Sequence, residues 1–224
     1  MVERAAMNRA ALAVLVVVGA LPLGCSSGKS AQRSPPSAEN RAPAFYPLKV
    51  GNRWTYDELA MGRVHNTWQT SISQQASPTR YVQDIQLLVE GKPSKPARQV
   101  LEVRPRGIFD GTRYVLEEPV TVGKKWMTVL DVSTAEKFEI VSVDSTVEVP
   151  AGRFSGCVRV RNTITDPGKV VQLTEPTFCR DVGMVETRIS IQKPGKPDIV
   201  VSHMRLLRFE SDGKQVFPPV LGGG

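Results

Sequence analysis

The chain has 224 residues, 41% of them hydrophobic and 23% charged, which is length and apolar content enough to bury a core and argues against a wholly disordered chain. Its formal net charge is +7, from 29 Lys and Arg against 22 Asp and Glu, moderately basic and mixed along the sequence rather than blocked. Two histidines and three cysteines leave few of the parts from which metal or nucleophile chemistry is built.

Residues 1–24 read as a signal peptide. Met1 to Arg9 is a short basic stretch, followed by the apolar run Ala10 to Leu23. As a helix that run would be about 21 Å long, short of the ~30 Å hydrocarbon core, so it fits an h-region and not a spanning helix. Met7-Asn-Arg9 would itself make a compact n-region, so translation starting at Met7 is as readable as a start at Met1. The sequence then gives Leu21-Pro-Leu-Gly-Cys25-Ser-Ser-Gly28. This resembles the lipobox of bacterial lipoproteins, in which a small residue precedes a cysteine that is lipidated and becomes the mature N-terminus. Gly24 and Cys25 match, while Pro22 and Leu23 depart from the usual residues of that motif. The resemblance implies that Cys25 carries the lipid anchor and makes the membrane the first partner. Ser26 stands where an Asp would favour inner-membrane retention, which implies an outer-membrane, periplasm-facing destination.

Residues 25–43 are rich in Ser, Pro and Ala and hold no apolar side chain larger than Ala beyond the cysteine, so they predict a lipidated N-terminus on a disordered tether, stiffened by Pro35 and Pro36. Residues 218–224, ending in three glycines, predict a flexible tail. Between them, residues 44–217 predict a single antiparallel β domain.

Within that domain, alternation dominates over helical period. Trp54 and Tyr56 alternate with Arg53, Thr55 and Asp57, and Val64, Trp68 and Ile72 share one face of the next segment. Tyr81 to Val89 fits a helical stripe as well, but Pro78 and Gly91 at its flanks favour a strand in a hairpin. Further strands are predicted over Gln99 to Arg104, Phe138 to Asp144, Cys157 to Ile164, Val170 to Cys179, Met184 to Ile191 and Ile199 to Phe209. Turn chemistry separates them at Gly91 to Pro96, Asp110-Gly111, Asp166-Pro-Gly168 and Lys193 to Pro197. The fold class is therefore mainly β, a curved antiparallel sheet or half-barrel with room for one short helix.

An internal repeat stands at an offset of 72 residues: Pro47-Leu-Lys-Val-Gly-Asn-Arg-Trp54 aligns with Pro119-Val-Thr-Val-Gly-Lys-Lys-Trp126. Proline starts an extended approach, glycine permits a tight turn, and the tryptophan opens a strand with a large group aimed at the core. Two copies predict two sheet halves entered in the same manner, with both tryptophans packed in the core in preference to forming a ligand platform.

Tyr46 to Tyr56, Val147-Glu-Val-Pro-Ala-Gly-Arg-Phe154, Cys157-Val-Arg-Val160 and Val182-Gly-Met-Val185 are similar to motifs of a broad set of uncharacterised bacterial envelope lipoproteins. Such domains resemble the half-barrel class that includes lipoprotein carriers and receptors of the Lol type. The resemblance implies an apolar concave face; it does not imply Lol function, since fold does not determine function.

Cys157 and Cys179 in an exported domain predict a disulfide, and a hairpin centred on Gly168 tests it by register. That centre sets Cys157 opposite Cys179, Arg159 opposite Thr177 and Arg161 opposite Glu175, with Val158 facing Phe178 and Val160 facing Pro176 on the other side. A slip of one residue pairs Cys157 with Phe178 and loses every match.

No catalytic constellation emerges. His65 and His203 sit on separate strands without a cysteine or carboxylate at ligand spacing in the sequence, so no metal site is assigned. Asp84, Glu90, Glu117 and Glu118 are acids without a recognisable setting, and there is no nucleophile elbow and no phosphate loop ahead of a helix. No cofactor is assigned. The bases cluster at turns, at Lys92, Lys95, Lys124, Lys125, Lys169, Lys193 and Lys196, without the interleaved aromatics of a nucleic-acid surface. The sequence therefore reads as a non-catalytic, lipid-anchored envelope lipoprotein whose sheet takes an apolar or amphipathic ligand. The alternative is a structural or interaction lipoprotein that docks an envelope protein partner.

Overall fold

In the computed structural model, which describes residues 40–165, 171–193 and 195–218, one antiparallel sheet accounts for most of the described residues. The expected signal peptide, Cys25, most of the tether, the turn at Asp166 to Gly168 and the last tail residues lie outside the described residues.

The strands follow the alternation. Trp54 and Tyr56 place β1 at Arg53–Ala60, and β2 at Val64–Ser77 carries Trp68 and Ile72 on its inner side, Ile72 almost fully buried. The contested segment is a strand, β3 at Arg80–Val89. Then come β4 (Lys92–Pro93), β5 (Ala97–Arg104) and two short strands, β6 (Gly107–Phe109) and β7 (Tyr114–Glu117). The second copy of the repeat opens β8 (Lys125–Val129), followed by β9 (Ala135–Val149), β10 (Gly152–Thr165), β11 (Val171–Cys179), β12 (Gly183–Gln192), β13 (Ile199–Ser211) and β14 (Lys214–Phe217).

The pairing order is β7-β6-β5-β3-β2-β1-β13-β12-β11-β10-β9-β8, with β4 on β3 and β14 on β13. Two six-stranded meanders thus lie side by side, each opened by one copy of the Pro-to-Trp repeat, and β1 joins them by pairing with β13. The sheet curls into a nearly closed barrel. At the remaining seam, between β7 and β8, side chains bridge instead of a ladder: the Trp126 indole donates to the Tyr114 carbonyl at 2.8 Å and Arg113 Nη1 to Glu136 at 2.5 Å.

The two copies of the repeat fold alike. Gly51 and Gly123 both adopt positive φ, +92° and +82°, where a side chain would be strained. The Gly51 N–H donates to Ile72 O and the Ile72 N–H to Asn52 O, at 3.0 and 2.9 Å; Gly123 and Ile140 repeat the pair with Lys124 at 2.8 and 2.9 Å. Trp54 and Trp126 are buried as expected of core residues, 2% and 8% exposed, and each stacks on a phenylalanine, Phe209 at 5.4 Å and Phe138 at 5.1 Å. Each anchors a separate core cluster.

The ordered region begins earlier than its composition suggests. Ala42–Phe45 form one turn of helix, α1, and Ala42, assigned to the tether on sequence, is fully buried. A side chain this small needs little space, and the turn is tied down by Glu118, which accepts from the Ala42 N–H at 3.1 Å and from Arg41 at 3.3 Å. Arg180 lies over the Phe45 ring at 4.8 Å.

The β10–β11 hairpin has the register centred on residue 168 at every pair the structure describes, from Val158–Phe178 to Thr165–Val171. The Cys157 and Cys179 sulfurs are at disulfide distance, 2.03 Å, and both side chains are buried. Arg161 donates to Glu175 at 3.2 Å across the same ladder.

Candidate functional site

A cavity of about 220 Å³ lies between the first meander, β12, β13 and the segment following α1. Trp54, Thr70 and Ile85 form one cross-strand row of its wall, and Tyr46, Tyr56 and Met204 are among the side chains around them. An apolar void of ~150 Å³ is enough to hold benzene, so this one has room for a benzene-sized group or the end of an alkyl chain.

Several polar atoms at the cavity are bonded within the protein. Tyr56 Oη donates to the Met184 carbonyl at 2.9 Å, and the Gln83 amide donates to Tyr46 Oη at 3.4 Å. Burial pushes the Tyr46 phenol above its ordinary pKa, with the Gln83 hydrogen bond opposing the rise and the charge of Asp110 adding to it. Burial pushes Tyr56 further, helped by Tyr46 beside it and opposed by Thr70. Both phenols are therefore neutral at physiological pH, and the cavity offers an occupant apolar walls and uncharged dipoles.

Next to Met204, Glu58 ties three strands together. Its carboxylate accepts from Ser202 Oγ at 2.6 Å, from the Trp68 indole at 2.6 Å and from Asn66 at 3.1 Å. Burial alone would raise its pKa, but the Ser202, Trp68 and Asn66 donors outweigh that and hold it below the usual carboxylate range. The charge is consumed by the fold.

A second, larger depression of about 540 Å³ lies on β8–β10, around Met127, Lys137 and Arg161. It is an open surface lined by solvated ion-pair partners: Lys125 pairs with Glu139 at 3.5 Å and Arg161 with Glu175 at 3.2 Å. Its volume is greater, but it lies more open to solvent than the smaller cavity.

The residues weighed for chemistry are brought together only in part. His65 and His203 both flank Leu59, from β2 and β13, so strand pairing places on one stretch of sheet two histidines that the sequence keeps far apart. Each gains a carboxylate across strands, Asp57 at 3.5 Å for His65 and Glu186 at 2.6 Å for His203, which linear spacing could not show. Asp57 is also held by Arg205 at 2.8 Å, and among the described residues no group of three or more His, Cys, Asp or Glu is placed to hold a metal. Asp84 pairs with Arg98 at 3.3 Å, Glu118 holds α1, and Glu90 sits in a tight turn at φ +51°. Glu117 is buried and ion-paired with Arg106, with Lys124 at 3.8 Å. Glu136, which no sequence feature singled out, is buried opposite Arg113. These last two belong to the β7–β8 seam.

No family model and no curated protein matches the chain. Among solved structures, it is similar to the crystal structure of a "putative lipoprotein" from Parabacteroides distasonis ATCC 8503. The likeness is 10% identical, has a TM-score of 0.46, and covers 74% of this chain and 98% of that one.

Proposed function

We propose that the chain is a non-catalytic, lipid-anchored envelope protein, held by an acylated Cys25 and facing the periplasm from the outer membrane, whose barrel takes the apolar part of a small or amphipathic ligand. The cavity carries this reading. Its walls are mostly apolar side chains and neutral phenols, joined by the uncharged Thr70 and Gln83, and no charged side chain lines it, so an occupant would be selected by shape and apolarity rather than by charge. The His65 and His203 pairs lie outside it, which supports binding over catalysis.

The test is native mass spectrometry of residues 35–224, the unit that holds the whole sheet, produced in the periplasm and released without detergent. An added mass removed by organic extraction, and absent from a Met204→Trp variant that fills the cavity, is the expected result. An apo mass together with no uptake of a fluorescent alkyl probe would overturn ligand binding and leave the structural, protein-docking lipoprotein in its place.

A further inference from the structure

The two ends of the barrel are finished differently. By register, Ala60 pairs with both Val64 and Ser202, Ile191 with Ile199, Val129 with Ala135, and Thr67 with Leu88. The β1–β2, β3–β5, β8–β9 and β12–β13 connections therefore share one end. Eight of the twelve large hydrophobic side chains exposed among the described residues lie on or beside that rim; the other four, Val50, Val100, Val122 and Val216, are scattered singly. Met61 is 70% exposed and Val129 66%, Val132 is wholly so, and Val89, Leu130 and Ile199 stand out from the same rim. Surface aliphatics gathered in one place call for a partner, whereas scattered ones do not.

The rim also carries exposed bases. Arg63, Lys92, Lys95, Lys193 and Lys196 stand exposed among those aliphatics, and none forms an ion pair with a described residue. The acids of the rim are Glu90, Asp131 and Asp198. Asp131 is occupied in its own turn by the N–H groups of Ser133 and Thr134, at 2.7 and 2.9 Å, and Asp198 accepts from Gln192 at 2.9 Å. At the far end more of the bases are paired, Lys49 with Asp212 at 2.5 Å, Arg41 with Glu118 at 3.3 Å and Arg106 with Glu117, although Arg153 and Lys214 stand exposed there. The chain enters there too, since the Asp181 N–H of the β11–β12 turn donates to the Ala44 carbonyl at 2.8 Å.

We propose that the β1–β2, β3–β5, β8–β9 and β12–β13 rim docks on an anionic phospholipid surface, its aliphatic side chains entering the headgroup boundary while its five bases meet lipid phosphates. Unpaired lysines and arginines around protruding Met, Val, Leu and Ile are the pattern of an interfacial membrane contact. The aromatic anchors that dominate protein–protein hot spots are missing from these residues. The rim lies at the end of the barrel opposite residues 41–44, and the contact does not depend on the cavity being a ligand site.

The test is sedimentation of residues 35–224, which lack Cys25, with vesicles of phosphatidylcholine alone and of phosphatidylcholine mixed with phosphatidylglycerol. Binding to the mixed vesicles only, falling as salt is raised, is expected. Lys193→Glu with Lys196→Glu should weaken it roughly tenfold or more. Val129→Ser with Val132→Ser should abolish it, while Val122→Ser leaves it unchanged; circular dichroism verifies that each variant is folded. No binding to either vesicle overturns the proposal, as does binding that the rim variants leave intact. A concentration-dependent dimer that the rim variants dissolve, with no vesicle binding, would assign the rim to a second copy of this chain instead.

Discussion

β1 and β13 join the two meanders through eight paired residues, whereas β7 and β8, where the same meanders meet on the other side of the barrel, share no ladder. The motif preceding β1 and the motif preceding β8 are locally the same, down to the glycine turn and the paired hydrogen bonds to Ile72 and Ile140. What differs is what each strand finds beside it. β1 runs for eight residues along a thirteen-residue β13, while β8 has five residues and β7 four, and these two meet through side chains. The repeat thus dictates how a strand is entered and that its tryptophan is buried. Beyond the repeat the two joins part ways, the first made by backbone between β1 and β13 and the second by side chains between β7 and β8.

The sharpest break in this comparison is removal of each tryptophan. Trp54→Ala takes a 2% exposed indole from the laddered join, together with its hydrogen bond to the Val182 carbonyl and its stack on Phe209. Its cost should fall near the top of the ~3–5 kcal/mol range for buried aromatics, and that of Trp126→Ala, on the edge strand, near the bottom. Urea unfolding of the two variants measures this directly. An equal or larger loss at Trp126 would mean that the side-chain seam carries as much of the fold as the ladder.

The second meander, which owns the edge strand β8, also carries the covalent staple. Cys157 and Cys179 are 22 residues apart, and closing that loop should contribute about 3 kcal/mol on the chain-entropy account. Cys157→Ala with Cys179→Ala should lower the urea midpoint accordingly, and reductant should do the same to the parent protein. Identical unfolding with and without reductant would show that the staple is dispensable.

That staple was legible because the sequence overdetermines it: one register gives a cysteine pair, an Arg161–Glu175 ion pair and an apolar Val158–Phe178 pair at once. β6 was not, since three residues, Gly107-Ile-Phe109, are too few to show a period and are buried by their neighbours. The cavity was visible only in fragments. The Trp54–Tyr56 alternation signalled an inner face, but Thr70, Gln83 and Met204 reach it from three other strands, and only pairing brings them there. The rim left a signal that composition misses: aliphatics such as Met61 and Val129-Leu-Asp-Val132 occupy hairpin ends where polar residues are usual. Glu136 left none, because its burial depends on an arginine 23 residues earlier that arrives from across the seam.

The smallest expected effect tests that seam. Arg113 is 37% exposed along its side chain and Glu136 only 2%, so Arg113→Ala strands a carboxylate on the stretch of sheet where Glu136 pairs with Ile164 and Thr128. Breaking a fully buried pair costs ~3–5 kcal/mol, and partial access of water to this one should bring the loss to about 2 kcal/mol. Adding Glu136→Gln separates the two ways in which the pair could matter. If the cost is the stranded charge, the double variant regains most of the stability, because a neutral amide tolerates the site far better than a carboxylate. If the pair instead clamps β7 to β9, the double variant stays as weak as Arg113→Ala, and Trp126 emission shifts to longer wavelength as its indole loses the Tyr114 carbonyl. We expect recovery without that shift. The Trp126 bond to the Tyr114 carbonyl already bridges the seam, and the ion pair then serves mainly to let an acidic residue occupy an interior position.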